Sequence, residues 1–315
     1  MPKVAIIGSG LVGRAWAIVF ARGGCEVALW DGDETAPPTA LAYIASVLPD
    51  LETHDLLDGR SPADVLGAIS IAATLPAALD GVSHVQENTP EKVDVKKRVF
   101  AELDRHAPAG AVIASSTSAI LPSSFTEQLA GRHRCLVIHP LNPPYLIPAA
   151  EMVPAPWTAP EVMEQTRDFL IACGQAPIVM QRELDGFIMN RMQGALLEEA
   201  FRLVADGYAT SEDVDIGIRE GLALRWSFMG PFETIDLNAP GGVRDYVERY
   251  QGIYEKLFPQ MQRRVDWAGP VLDEIEGKRR ESVSEAELDQ RQAWRDRRLM
   301  ALAAHKRQAA DDTDR

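Results

Sequence analysis

The sequence predicts an α/β chain in two parts, a doubly wound and mostly parallel sheet followed by an all-α domain. Three observations carry this. A β-branched run, Lys3-Val4-Ala5-Ile6-Ile7, ends in glycine and leads directly into a helical pattern. Strand-like and helical segments then alternate up to about residue 182. Beyond that point helical spacing persists with no convincing strand. The expected division is therefore 1–182 for the sheet domain and 183–315 for the helical one.

Taken in order, residues 3–7 are a strand and Leu11 to about Arg22 a helix that stops at Gly23-Gly24. Glu26-Val27-Ala28-Leu29-Trp30 gives a second strand closed by Asp31, and further strands are expected at 83–87, 111–114, 135–138 and 177–180. Helices are expected at 92–106 and 160–172. Residues 186–205 carry Ile188, Met192, Ala195, Leu196, Ala200 and Leu203 at helical spacing and stop at Gly207. Ser211 is a candidate cap for the next helix, with Asp213 and Asp215 near its positive end. The last forty or so residues are charged and helix-forming, and Asp311 to Arg315 are expected to fray.

Composition narrows the function. At 315 residues, 46% apolar and 25% charged, the chain is an ordinary globular sequence with a sizeable core. A net charge of −14 argues against a nucleic-acid partner, which needs basic patches. No apolar run approaches a membrane span, and the N-terminal run is too short for a secretory signal, so a cytoplasmic protein is expected. Cys25, Cys135 and Cys173 show no metal-ligand spacing and are expected as buried thiols.

Gly8-Ser9-Gly10-Leu11-Val12-Gly13 is a GxGxxG run between the first strand and the first helix. In that context Gly8 allows the tight turn, Gly10 lets a pyrophosphate approach the backbone, and Gly13 lets helix and strand pack closely. Leu11 and Val12 open the helix whose free N–H groups face the anion. This is the fingerprint of a Rossmann-type dinucleotide domain. Asp31 ends the second strand 18 residues past Gly13, where a carboxylate accepts ribose hydroxyls and repels a 2′-phosphate. NAD is favoured over NADP.

Three further segments speak to the reaction: ASSTSAI (114–120), HPLNPPYLIPAAE (139–151) and DGFIMNR (185–191). With GSGLVGRAWA, VQENTPEKVDVKK and GLALRWSFMGPFET, they make the chain resemble the 3-hydroxyacyl-CoA dehydrogenase family, in detail its lambda-crystallin/L-gulonate 3-dehydrogenase branch. The resemblance implies His139 as general base, Glu151 as its partner, and Ser118 and Asn190 as polar groups toward the substrate. It also implies cofactor contacts at Glu91, Lys96, Ser118 and Asn142, and a homodimer built through the all-α domain. The wider family commonly has asparagine where this chain has Ser116, whereas this branch carries serine. The chemistry agrees with these roles. Oxidising a secondary alcohol needs a base with a pKa near neutrality, and a carboxylate on the far ring nitrogen fixes the tautomer.

The substrate is expected to be a small hydroxy acid. Residues 33–70 hold seven acids and one base, Arg60, which disfavours a polyanionic CoA ester in that segment. Arg225 is the candidate anchor for a free carboxylate. Competing expectations are an L-carnitine dehydrogenase, with Tyr145, Trp226 and Phe228 as candidate cage aromatics, or a short-chain 3-hydroxyacyl-CoA dehydrogenase. A non-enzymatic NAD-binding role would leave a damaged constellation, and here all four implied residues are present.

Overall fold

A computed structural model describes residues 1–313. The chain forms two compact units: Met1–Met189 together with Trp294–Arg315, and Asn190–Ala293. The expected division at 182/183 is thus drawn differently by packing. The chain returns to the first unit at its end, where Met300 is buried in the same core as Trp16 and Phe20.

The first unit is an eight-stranded sheet in the order β3-β2-β1-β4-β5-β6-β7-β8. Its strands are β1 (Lys3–Ile7), β2 (Glu26–Trp30), β3 (Ile69–Ile71), β4 (His84–Glu87), β5 (Val112–Ser115), β6 (Cys135–Pro140), β7 (Ala149–Pro154) and β8 (Ala176–Val179). All neighbours run parallel except β6 and β7, so β7 and β8 reverse direction. Every strand expected from the sequence is present within a residue or two, while β3 and β7 were not among them.

Both faces of the sheet are covered. Val4 and Ile6 of β1 join the core beneath α1 (Leu11–Arg22) and α2 (Ala36–Thr53). Ala5 and Ile7 point into a second core, shared with Phe100 and Leu103 of the helix Val93–His106. A strand buried on both faces reads as an unbroken apolar run, which is why KVAII is legible. Strand order reverses between β1 and β4, opening a crevice at the carboxyl ends of the strands where dinucleotides bind in such sheets.

The second unit is helical, with no strand among its described residues. Its first helix, Met189–Ala205, starts three residues later than expected, because Gly186 and Phe187 adopt left-handed backbone with φ of 75° and 49°. The helix ends before Gly207, whose φ is 71°. The next helix, Ser211–Ile216, is capped by Thr210 and not by Ser211. Thr210 is extended and exchanges hydrogen bonds with Asp213, a capping box one residue earlier than expected.

The last helix spans Leu288–Thr313. Asp314 and Arg315 lie outside the described residues. Among the described residues no helix is long and apolar enough to cross a membrane, and no cluster of side chains could hold a metal ion. All three cysteines are buried free thiols, two of which, Cys25 and Cys173, approach to 4.0 Å.

Candidate active site

The glycine loop behaves as the sequence requires. Gly8 has a φ of +89°, and a Cβ on Gly13 would collide with the Gly8 carbonyl oxygen. At Gly10 a Cβ would meet nothing within 4 Å, so the backbone there is open to a ligand. Gly10 caps α1 without a side-chain hydrogen bond, and the first turn at Leu11 and Val12 holds no acid. The positive end of the helix is therefore left for an anion.

Asp31 follows β2 and has two tasks in this structure. Its Oδ2 accepts the Ser9 N–H at 2.7 Å, tying it to the glycine loop, while Oδ1 accepts the Asp33 N–H at 3.0 Å. Beside it lies a cavity of about 530 Å³ lined by Trp30, Asp31, Gly32, Glu34, Ile71 and Leu75 among others. Two carboxylates at its rim suit ribose hydroxyls and oppose a phosphate there. The open glycine backbone, uncapped helix end and adjoining cavity fit an NAD molecule.

The loop after β5 carries Ser118. Glu91 holds this loop, one of its carboxylate oxygens accepting from the Thr117 hydroxyl and from the backbone N–H of Ser118 and Ala119 at 3.0 and 3.1 Å. Ser116 is joined to Asn88 at 2.7 Å, and it accepts from Gln86 at 2.7 Å and from the Trp16 indole at 3.0 Å. Lys96, expected as a cofactor contact, is only 1% exposed, and its Nζ reaches both Glu87 oxygens and the Thr89 carbonyl at 3.0 Å each. In this structure its three protons are all taken, and it braces the loop after β4. Asn142 is exposed on the loop after β6.

His139 and Glu151 meet because the sheet reverses. They are direct cross-strand partners in the antiparallel pair β6–β7, twelve residues apart in sequence. His139 Nδ1 lies 2.6 Å from Glu151 Oε2. The other carboxylate oxygen, Oε1, accepts the backbone N–H of Ile188 and Met189 at 2.6 and 2.8 Å. Burial pushes the Glu151 carboxyl up, but its hydrogen bonds to His139 and to these two amides outweigh that and hold it below the usual range. The Phe187 ring packs against the imidazole, centroids 5.6 Å apart. With Nδ1 engaged, Nε2 is the nitrogen left for proton transfer.

The first unit therefore gathers the glycine loop, Asp31, the Glu91-held Ser118 loop and the His139–Glu151 pair. Asn190, in the first turn of its helix, and Arg225, in the helix Ala223–Trp226, are carried by the second unit. The sequence reading missed Phe187 and the amides of Ile188 and Met189. Gly186, standing just before an amphipathic pattern, is the one signal that pointed to them. Tyr145, considered for an aromatic cage, is buried in the first core with its hydroxyl 2.9 Å from that of Tyr43. It is not available to such a cage.

A doubly wound sheet with an open glycine loop, an acid after its second strand and a buried His–Glu pair defines an NAD-dependent dehydrogenase. Residues 3–184 match the 3-hydroxyacyl-CoA dehydrogenase NAD binding domain, and residues 186–270 match the C-terminal domain of the same enzymes. The chain belongs to the 3-hydroxyacyl-CoA dehydrogenase family. It is 38% identical to lambda-crystallin of Oryctolagus cuniculus, covering 97% of this chain and 96% of that one. It is also 33% identical to an L-carnitine dehydrogenase of Pseudomonas putida, covering 95% and 92% respectively. Among solved structures, a 5-formyl-3-hydroxy-2-methylpyridine 4-carboxylic acid 5-dehydrogenase, described as an NAD+-dependent dismutase, superposes with a TM-score of 0.82. That match is at 26% identity and covers 96% of this chain and 97% of the other.

Proposed function

We propose that the protein oxidises the 3-hydroxyl of a small free hydroxy acid of the L-gulonate type, with NAD+ as acceptor. The observation that carries this reading is the His139–Glu151 pair, 2.6 Å apart, with the carboxylate anchored to two backbone amides. Nε2 of His139 takes the hydroxyl proton of the substrate. The ionised Glu151 holds the ring in one tautomer and stabilises the imidazolium that forms. Bound NAD+ supplies the acceptor for the hydride that leaves the carbinol carbon. Ser118 and Asn190, on the family resemblance, are the hydroxyl and amide that orient the substrate oxygen.

A free acid is favoured over a CoA ester by charge. The single base in the acidic segment 33–70, Arg60, is already engaged, its Nε donating to the Arg22 carbonyl at 3.0 Å. Arg225 is the proposed carboxylate anchor. It is exposed and donates to the Asn238 side chain at 3.3 Å, a weak bond that a carboxylate can replace. We also read the second unit as the surface through which two copies associate.

The test is a panel of L-gulonate, 3-hydroxybutyrate, L-carnitine and 3-hydroxybutyryl-CoA, followed by NADH absorbance. The expected order puts L-gulonate first in kcat/KM. His139→Gln should lower kcat by roughly 10² to 10⁴ while NADH affinity, read by fluorescence titration, is unchanged. Arg225→Met should raise KM for the acid by about tenfold or more with little change in kcat. Faster turnover of the CoA ester would overturn the substrate class, and near-normal activity of His139→Gln would overturn the mechanism.

A further inference from the structure

Away from the residues of the dinucleotide and His–Glu sites, the first unit contains a second cavity of about 280 Å³. It is walled by the end of α1, the loop after β6 and the last helix, whose Leu299, Leu302, Lys306 and Arg307 line it. Arg22 lies in its wall and is only 4% exposed. Burying a guanidinium demands compensation, and here it is incomplete. Nη1 donates to the Leu56 and Tyr145 carbonyls at 3.3 and 2.8 Å. Asp58 stands 3.8 Å from Nε, close enough for an ion pair but not a hydrogen bond, and Nε has no hydrogen-bond partner. The second oxygen of Asp58 is taken by Arg307 Nη1 at 2.9 Å. Arg22 and Arg307 thus share one carboxylate, and Lys306 lines the same cavity, in a chain whose net charge is −14.

We propose that this cavity binds a small amphiphilic carboxylate, its head on Arg22, Lys306 and Arg307 and its aliphatic tail against Leu146, Leu299 and Leu302. A carboxylate matches a guanidinium fork and supplies the acceptors that Asp58 cannot. The apolar wall accounts for Leu302, which is 44% exposed on the helix that closes the cavity. The volume falls just below the range of about 300 to 1,000 Å³ typical of small-molecule pockets, so a dinucleotide or an acyl-CoA does not fit. The occupant is a compact acid distinct from the cofactor.

The experiment titrates hexanoate into the full-length protein saturated with NADH, by calorimetry and by saturation-transfer NMR. The expected result is saturable binding at one site per chain, unaffected by NADH and by His139→Gln. Acetate, which lacks the tail, and hexylamine, which lacks the anion, should each bind at least tenfold more weakly. Lys306→Met combined with Arg307→Met should weaken hexanoate at least tenfold, and Ala303→Phe, which fills the cavity, should abolish binding. Both variants should keep dehydrogenase activity, and the first alters only the last helix, so it serves if Ala303→Phe misfolds. Absence of saturable binding, insensitivity to these variants, or displacement by NADH would each overturn the proposal.

Discussion

At the scale of single residues, the proposed chemistry turns on which end of one imidazole is left free and how firmly the other is held. Glu151 has no exposed surface, and a carboxylate in that position would ordinarily be driven toward its neutral form. It stays ionised because one oxygen faces His139 while the other receives two amide protons. A glutamine there keeps the size but supplies only one accepting oxygen, so either the ring or the amide pair loses its acceptor. Glu151→Gln should lower kcat by about 10² or more, with NADH affinity preserved. The same substitution has a signature in stability. Because the folded-state pKa of Glu151 is depressed, its contribution is fully present above the unfolded carboxylate value of about 4.3 and lost as pH falls through the lower folded value. Thermal melts across the acid range should show wild type losing more stability than Glu151→Gln as pH drops below about 4. Parallel acid limbs for the two proteins would mean that the carboxylate is not held in this way.

At the scale of elements, the pair depends on two backbone events that are far apart in sequence. The reversal between β6 and β7 sets His139 opposite Glu151, and the left-handed step at Gly186 and Phe187 presents the amides of Ile188 and Met189. Gly186 has a φ of 75°, a conformation that a side chain resists. Gly186→Ala should therefore destabilise the protein by about 1 to 2 kcal/mol and reduce kcat more than it changes KM, since the amides move off Glu151. Unaltered kcat in a stably folded variant would separate the turn from catalysis. These events also explain what was readable beforehand. The glycine loop was legible because its requirement is a local one, backbone conformation and close approach. His139 was legible only through family resemblance, since nothing local distinguishes it from the other five histidines. β3 is three residues long, too short to show a period, and β7 is preceded by Pro148 and ends at Pro154, so neither strand is legible in the sequence. Apolar spacing runs on through Gly186 to Ile188 while the helical backbone does not, so the spacing predicts a helix start three residues before Met189.

At the scale of the whole molecule, the two units differ in how they treat apolar surface. The first buries its hydrophobic residues on both faces of a sheet and recruits the end of the chain, through Met300, to cover one of them. That return was hidden in the sequence because the last helix is charged along most of its length and contributes only a narrow apolar strip. The second unit leaves apolar groups outside. On the helix Gly242–Leu257, Val243, Val247, Tyr250, Tyr254 and Leu257 follow helical spacing, yet each is at least 37% exposed. Such a stripe is the pattern of a helix face that packs against something. Phe228 and Phe232 add rings 70% and 79% exposed. A second copy of the chain is the occupant that the family resemblance implies, and a symmetric pairing would cover the same stripe on both partners. Light scattering at micromolar concentration should therefore give twice the chain mass of 34.5 kDa. Val247→Glu with Tyr254→Glu, placing unpaired charges in that stripe, should shift the protein toward the monomer and make its melting temperature fall with dilution. A wild-type protein that scatters as a single chain, or a dimer indifferent to both substitutions, would show that this helix face meets something other than its own copy.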